Sequence, residues 1–461
     1  MPVFEIELAQ HLSRARAEDI PDRAMREAKR AIIWWTATAI EGSSGTNRSP
    51  LRDYAAAQST PPEATALGTG LRLTAEAAGL LNGAAGKVFE HEDKYWVNES
   101  IGFAPACAVV PAAVAIAQAI GGASGIQLMT AVSLAIDLEV RLIRPLGLGF
   151  APGHAAANAT FVLGTYGAAA AAAKILGLDR ISTGNALAIA HTQAAGNFQA
   201  QMEGRGVAAQ CGFAVRNGIA AARLSSSGAE GPNSWLTGRA GLYATHFPAT
   251  PVKLASILEG LGQEFPGTSL GYKAYPCGIV AHPAIDAAIE LRAEAAVSSI
   301  SKIRVLGPAE LAIMADPINE KRRPSSSVEA AFSLPWMVAC ALRYGNVRLE
   351  HLGPEALNDT FLRRLAAGVD IHMSSGTRGT SVEIELDDGE ILRSHYVIFA
   401  KGHPKRPLAT PEMLSTLRQA ARQAGINERL SESAAAQLEA LEECADIDPL
   451  FSSLLGPSTT R

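Results

Sequence analysis

The 461-residue chain is about three typical domains long, and its balance of 18% charged against 48% apolar residues describes a folded protein with a large core. Its 40 Lys and Arg face 45 Asp and Glu for a formal charge of −5, and the longest basic run is Lys321-Arg322-Arg323, so no phosphate-backbone footprint is present and nucleic acid is not an expected partner. The five cysteines (Cys107, Cys211, Cys277, Cys340, Cys444) are far apart with no CxxC, which argues against a disulfide framework or a zinc knuckle and fits a reducing cytoplasm.

The first residues, MPVFEIELAQHLSRARAED, reach acidic positions at once and lack a basic segment followed by an apolar one, so no secretion signal is expected. From Pro21 to Arg223 nearly every segment reads as helix, rich in Ala and Leu and punctuated by Gly, Pro or Asn-Gly. Val109 to Ile120 and Thr160 to Leu176 are apolar on almost every face and belong at the centre of a helical bundle. The uncharged run from Ser100 to Ile136 has the length of a membrane span, but Pro105, Pro111, Gly121 and Gly122 break it, and a buried pair of helices is expected instead.

The texture changes near Gly271. A helix over His282 to Val297 is followed by a strand pattern at Ser301 to Leu306. Thr380 to Leu386 then places Val382, Ile384 and Leu386 on one face, and Asp387-Asp388-Gly389 turns into Ile391 to Ala400, as in a hairpin. The expected fold is mainly α: an all-α helical domain over 1–270, an inserted α+β domain over 271–400, and C-terminal helices over 401–461 packing back on the helical domain.

The densest set of ionisable groups is Lys87-Val88-Phe89-Glu90-His91-Glu92-Asp93-Lys94. As a helix it would put Lys87 on one face with Glu90 and His91, a set that either tunes a base within a cleft or solvates a helix end. No HxxxH or HxxE pairing fixes a metal there. A second stretch, Lys273-Ala274-Tyr275-Pro276-Cys277-Gly278, leads to His282, with Pro283 in the first turn of a helix. Open N–H groups there favour a bound carboxylate and disfavour imidazolium, or His282 simply caps the helix. Cys277 reads as a nucleophile or, more simply, a buried thiol. The glycine-bearing stretches at 147–154 and 204–212 lack the order of a nucleotide loop. Arg205 between two glycines has the reach for an anion, His154 reads as structural, and His191 as a hydrogen-bonded core histidine.

Taken together, several stretches resemble the MmgE/PrpD family of dehydratases, decarboxylases and epimerases of small carboxylic acids. LNGAAGKVFEHED is similar to the family's NGxAxHxxDxDD segment and APACAVVPAAVAIAQAIGGASG to the one after it; AVRNGIAAARL, YPCGIVAHPAIDAAIEL, RRPSSSVEAAFSLPWMVACAL and KGHPKRPL follow in the family's order, over about residues 20 to 420. The resemblance implies an all-α domain with an inserted α+β lid and a cofactor-independent, cytoplasmic homodimer. The implied reaction removes a proton next to a carboxylate or carbonyl in a cleft between bundle and lid. At the site, Lys87 stands where the family has His, Glu90 at its first Asp, and Glu92 and Asp93 at the final Asp pair. Ala104, Val207 and Gln210 replace a family His, Lys and His, while Tyr275, Cys277 and His282 match.

The expected roles are Lys87, tuned by Glu90 or His91, in proton transfer; His282 as second proton donor; and Asp93, Arg205, Lys273, Tyr275, Cys277 and Arg323 in binding the substrate, with no metal. The alternative is a family member that has lost catalysis and binds a small carboxylate or serves as a scaffold.

Overall fold

Alanine-rich helices with small residues at their crossings account for most of the chain in a computed structural model, which describes residues 2–46, 49–97, 102–149, 156–203, 205–294 and 296–457. The protein is mainly helical with small sheets. It divides into two compact units: the first holds 1–88, 92–270 and 409–461, the second 89–91 and 271–408.

In the first unit, every residue from Ala106 to Gln118 and from Ala159 to Ala173 is buried. Side chains this small let backbones approach closely. The helix Val207–Ser226 packs on both Ala75–Ala85 and Ala159–Ile175. At its Gly218 a Cβ would meet the Ala168 Cβ at 2.5 Å and the Ala169 nitrogen at 2.7 Å. Helix starts are set by side-chain caps: Thr74 accepts from the Ala77 N–H, and Ser124 and Gln127 form a reciprocal capping box. The helix Thr410–Gln423 packs on the long helix Asp22–Thr46. Buried Arg141 binds Asp137 at 2.6 Å and the carbonyls of Ile257, Glu259, Gly260 and Glu264. His191 is hydrogen-bonded as expected, between the Tyr166 hydroxyl at 2.8 Å and the Ala240 carbonyl at 2.9 Å, but it is half-buried at the end of its helix rather than in the core. Among the described residues no helix is long and apolar enough to cross a membrane. His154 lies outside the described residues.

The second unit contains a four-stranded sheet ordered Val369–Met373, Ile300–Gly307, Ser381–Leu386, Ile391–Arg393. The first pair is parallel and the others antiparallel. Ile303, Val305, Val382 and Ile384 enter its core beside the packed helices His282–Arg292 and Leu334–Tyr344. The hairpin is shorter than the sequence pattern predicts: regular pairing stops at Arg393, because the Val382 N–H is taken by the Ser394 hydroxyl. One isolated bridge, Thr380 to Val397, follows.

The ionisable stretch departs most from expectation, since 87–94 is not a helix. The helix Ala75–Ala85 ends at Gly86, Glu90 adopts a left-handed φ of 53°, and Asp93–Trp96 is a short strand paired antiparallel with Gly102–Phe103. A left-handed residue breaks the helical repeat, so the i,i+3 and i,i+4 faces assumed for Lys87, Glu90 and His91 do not exist.

Candidate functional site

Lys273 follows the strand Leu270–Tyr272 and lies in the second unit, where it is 1% exposed. Its Nζ lies 2.9 Å from Oε2 of Glu90, a residue 183 positions earlier. An ammonium this deep requires such partners, because taking an unpaired charge out of water is costly. His91 is also buried. His282 opens its helix with the ring fully enclosed, and neither ring nitrogen makes a hydrogen bond among the described residues. Burial first, then the charges of Lys273 and His91, hold its pKa well below the usual histidine value, against a smaller opposing pull from the backbone at Cys277 and Tyr275. Protonation is disfavoured there, so the imidazole is held neutral at pH 7.

Tyr275 stands edge-on to that ring, with centroids 5.1 Å apart at 66°. Its hydroxyl donates to Asp286 Oδ1 at 2.5 Å. Burial and the adjacent Asp286 carboxylate drive the phenol pKa up, so Tyr275 keeps its proton. Cys277 is fully buried and its thiol is pushed up to about 12, chiefly by burial, with Lys273 opposing and Glu90 reinforcing. A thiol in this state is a packing group and a poor nucleophile.

Of the other sequence candidates, Lys87, Asp93 and Arg205 belong to the first unit and Arg323 to the second. In the first unit, buried Lys87 reaches Glu92 Oε1 at 3.2 Å, and Lys94 approaches the same oxygen at 3.4 Å. Asp93 Oδ2 accepts the Ala106 N–H at 3.0 Å, at the start of the Ala106–Ala119 helix. Burial raises its pKa to about 7; the Ala106 N–H and Lys94 oppose this and Glu92 adds to it. Glu139, which sequence reasoning passed over inside an apolar helix, is fully buried with both carboxyl oxygens lacking hydrogen bonds among the described residues. Burial, then Asp93 and Cys211, hold its pKa well above the carboxylate range. Arg205 is exposed between the helices Gln199–Glu203 and Val207–Ser226, and Arg323 is exposed just past Ile318–Lys321, so neither belongs to the buried cluster. Among the described residues no group of three His, Cys, Asp or Glu is arranged to hold a metal ion.

The second unit thus gathers one buried cation, one acidic partner and one neutral base, the minimum for removing or delivering a proton beside a bound carboxylate. Residues 6–255 match the MmgE/PrpD N-terminal domain and residues 275–447 the MmgE/PrpD C-terminal domain. The chain belongs to the MmgE/PrpD family. This MmgE/PrpD chain is 26% identical to the cis-aconitate decarboxylase-like protein oryM of Aspergillus oryzae over 98% of its length and 97% of that protein. It is 25% identical to cis-aconitate decarboxylase of Mus musculus, covering 96% of this chain and 91% of the relative, and 26% identical to that of Homo sapiens, covering 95% and 92%. Asp286 is the member of the cluster that sequence reasoning missed, although it sits in the same HPAID segment as His282.

Proposed function

We propose that this chain is a lyase acting on a small polycarboxylic acid, with decarboxylation of a cis-aconitate-like substrate as its reaction. The observation that carries the reading is the buried Lys273 ammonium in one unit with the neutral His282 imidazole and Glu90. Loss of carbon dioxide and removal of a proton next to a carboxylate both leave an electron pair on a carbon skeleton. Lys273 supplies the fixed positive charge that stabilises this pair where water is excluded. His282 receives or returns the proton, with Glu90 or His91 as its counterpart. Lys87 stays a proposed proton-transfer group, and Asp93, with a pKa near the working range, a proposed contact to the substrate. Tyr275 shapes the wall beside His282. Arg205 and Arg323, both exposed, are proposed as cations that attract the anion. The names and near-complete coverage of the relatives support the substrate class. We further infer a cytoplasmic homodimer that works without a cofactor.

The test incubates the full-length protein with cis-aconitate, citrate and an amino-dicarboxylate in deuterated water, followed by proton and carbon NMR. Conversion of cis-aconitate with release of carbon dioxide, abolished in Lys273→Met and His282→Asn while circular dichroism stays unchanged, is the expected result. Exchange or dehydration without carbon dioxide would replace decarboxylation by a different lyase or epimerase reaction. Saturable binding with neither exchange nor conversion would refute catalysis and leave a carboxylate-binding protein.

A further inference from the structure

The segment KGHPKRPL at the end of the second unit folds into a tight turn with no role in the chemistry above. Within it, His403 N–H donates to the Ala400 carbonyl, Arg406 N–H to His403 and Gly402 N–H to Arg406. Lys405 Nζ and the His403 ring both lie against Phe399. This braced turn makes two connections to the Lys273 cluster, and both are specific.

The first is through the backbone. Tyr272 N–H donates to the Gly402 carbonyl at 2.8 Å. Gly402 has a φ of 89°, and a Cβ there would lie 1.9 Å from the Tyr272 oxygen and 3.4 Å from the Ala274 nitrogen. Position 402 therefore requires glycine both for its left-handed conformation and for close approach. Tyr272 and Ala274 flank Lys273, so the turn is packed on the backbone that aims the ammonium.

The second is through Asp286. Its Oδ2 accepts from the Lys401 N–H at 2.7 Å and pairs with Arg406 Nη1 at 2.5 Å, while Oδ1 accepts from the Tyr275 hydroxyl. Asp286 lies on the helix that His282 opens. One carboxylate thus joins the turn to the tyrosine whose ring is set against His282. The Tyr275 hydroxyl is committed to this bond rather than to a ligand.

We propose that the Ala400–Arg406 turn is a positioning element, with Asp286 and Arg406 as positioning residues that fix Lys273 and the Tyr275–His282 ring pair in register. The proposal rests on the reading that Lys273 and His282 bind and transform a small carboxylate. It makes the anion affinity of the buried ammonium depend on a surface guanidinium that touches no substrate.

Arg406 suits the test because its side chain is 54% exposed and its removal leaves no hole in the core. Full-length wild type, Arg406→Ala and Arg406→Lys are compared by hydrogen exchange of the peptide covering 270–277, by thermal melting, and by calorimetric titration with tricarballylate, a tricarboxylate with no double bond. In Arg406→Ala we expect exchange over 270–277 to rise about tenfold and tricarballylate binding to weaken about tenfold, with the thermal midpoint within about 2 °C of wild type. Arg406→Lys, which keeps one charged donor, recovers most of both. Unchanged exchange over 270–277 overturns the proposal, as does faster exchange with undiminished affinity, which would make the turn a scaffold only. If wild type binds no tricarballylate, the carboxylate reading fails, and the exchange comparison alone decides whether the turn fixes the Lys273 backbone.

Discussion

Glu90→Gln separates the charge of the Glu90–Lys273 pair from its shape. Gln keeps an oxygen that can accept from Lys273 Nζ, now 2.9 Å from Glu90 Oε2, but removes the negative charge. A substrate carboxylate sharing the same ammonium would lie about 5 Å from the Glu90 carboxylate. At an effective dielectric of about 20, two like charges at that separation repel by about 3 kcal/mol. If rearrangement around the ligand absorbs half of this, the variant binds a carboxylate about tenfold more tightly. Turnover should move the other way, by about a hundredfold if Glu90 rather than His91 is the proton-transfer counterpart of His282. Calorimetry with tricarballylate and a cis-aconitate turnover assay on the same preparation read both effects. Unchanged or weaker tricarballylate binding in Glu90→Gln would refute the claim that Lys273 receives the substrate carboxylate.

Other consequences concern charge and packing in the first unit. Asp93 has its pKa raised to about 7, so between pH 4 and 7 the unfolded chain releases a proton that the folded chain keeps, and stability falls as pH rises. Asp93→Asn should flatten the decline of the thermal midpoint between pH 5 and 8, a change of about 3 kcal/mol over that window, and an unchanged slope would contradict the assignment. Glu139, also raised, lowers stability with pH by the same sign; Glu139→Met should raise the thermal midpoint at pH 8 and change it little at pH 4.5. Gly218→Ala drives a methyl group against the backbone of the neighbouring helix and should cost about 2–3 kcal/mol in thermal or denaturant melts, far more than an alanine at an open helical position.

Much of the secondary structure is legible because its causes are local. The alanine-rich runs that form Ala106–Ala119 and Ala159–Ile175 are apolar on every face, and the alternation at Val382 and Ile384 is that of a strand, although Glu383 between them is buried as well. The 87–94 stretch misleads for an equally local reason: its charges are spaced as on a helix, and nothing in a glutamate announces the left-handed φ at Glu90. The cluster's wiring is long-range. Glu90 and Lys273 are 183 residues apart, and Asp286 and Arg406 are 120 apart, so no spacing rule joins them. Arg205 and Arg323 drew attention as cations beside glycine or in a basic run, features that say nothing about burial, and both are exposed. Asp286 and Glu139 were invisible because a single acidic residue in a helix is ordinary in sequence and becomes informative only with its surroundings.

Arg141 spends all five of its N–H bonds, one on Asp137 and four on carbonyls between Ile257 and Glu264. A stretch of irregular chain thereby draws its order from one side chain on another helix. Lysine, with three donors on a single point, has no arrangement that serves five scattered acceptors, so even the mildest exchange at this position leaves several of these carbonyls without their donor. A protease given that variant should cut first between 257 and 264.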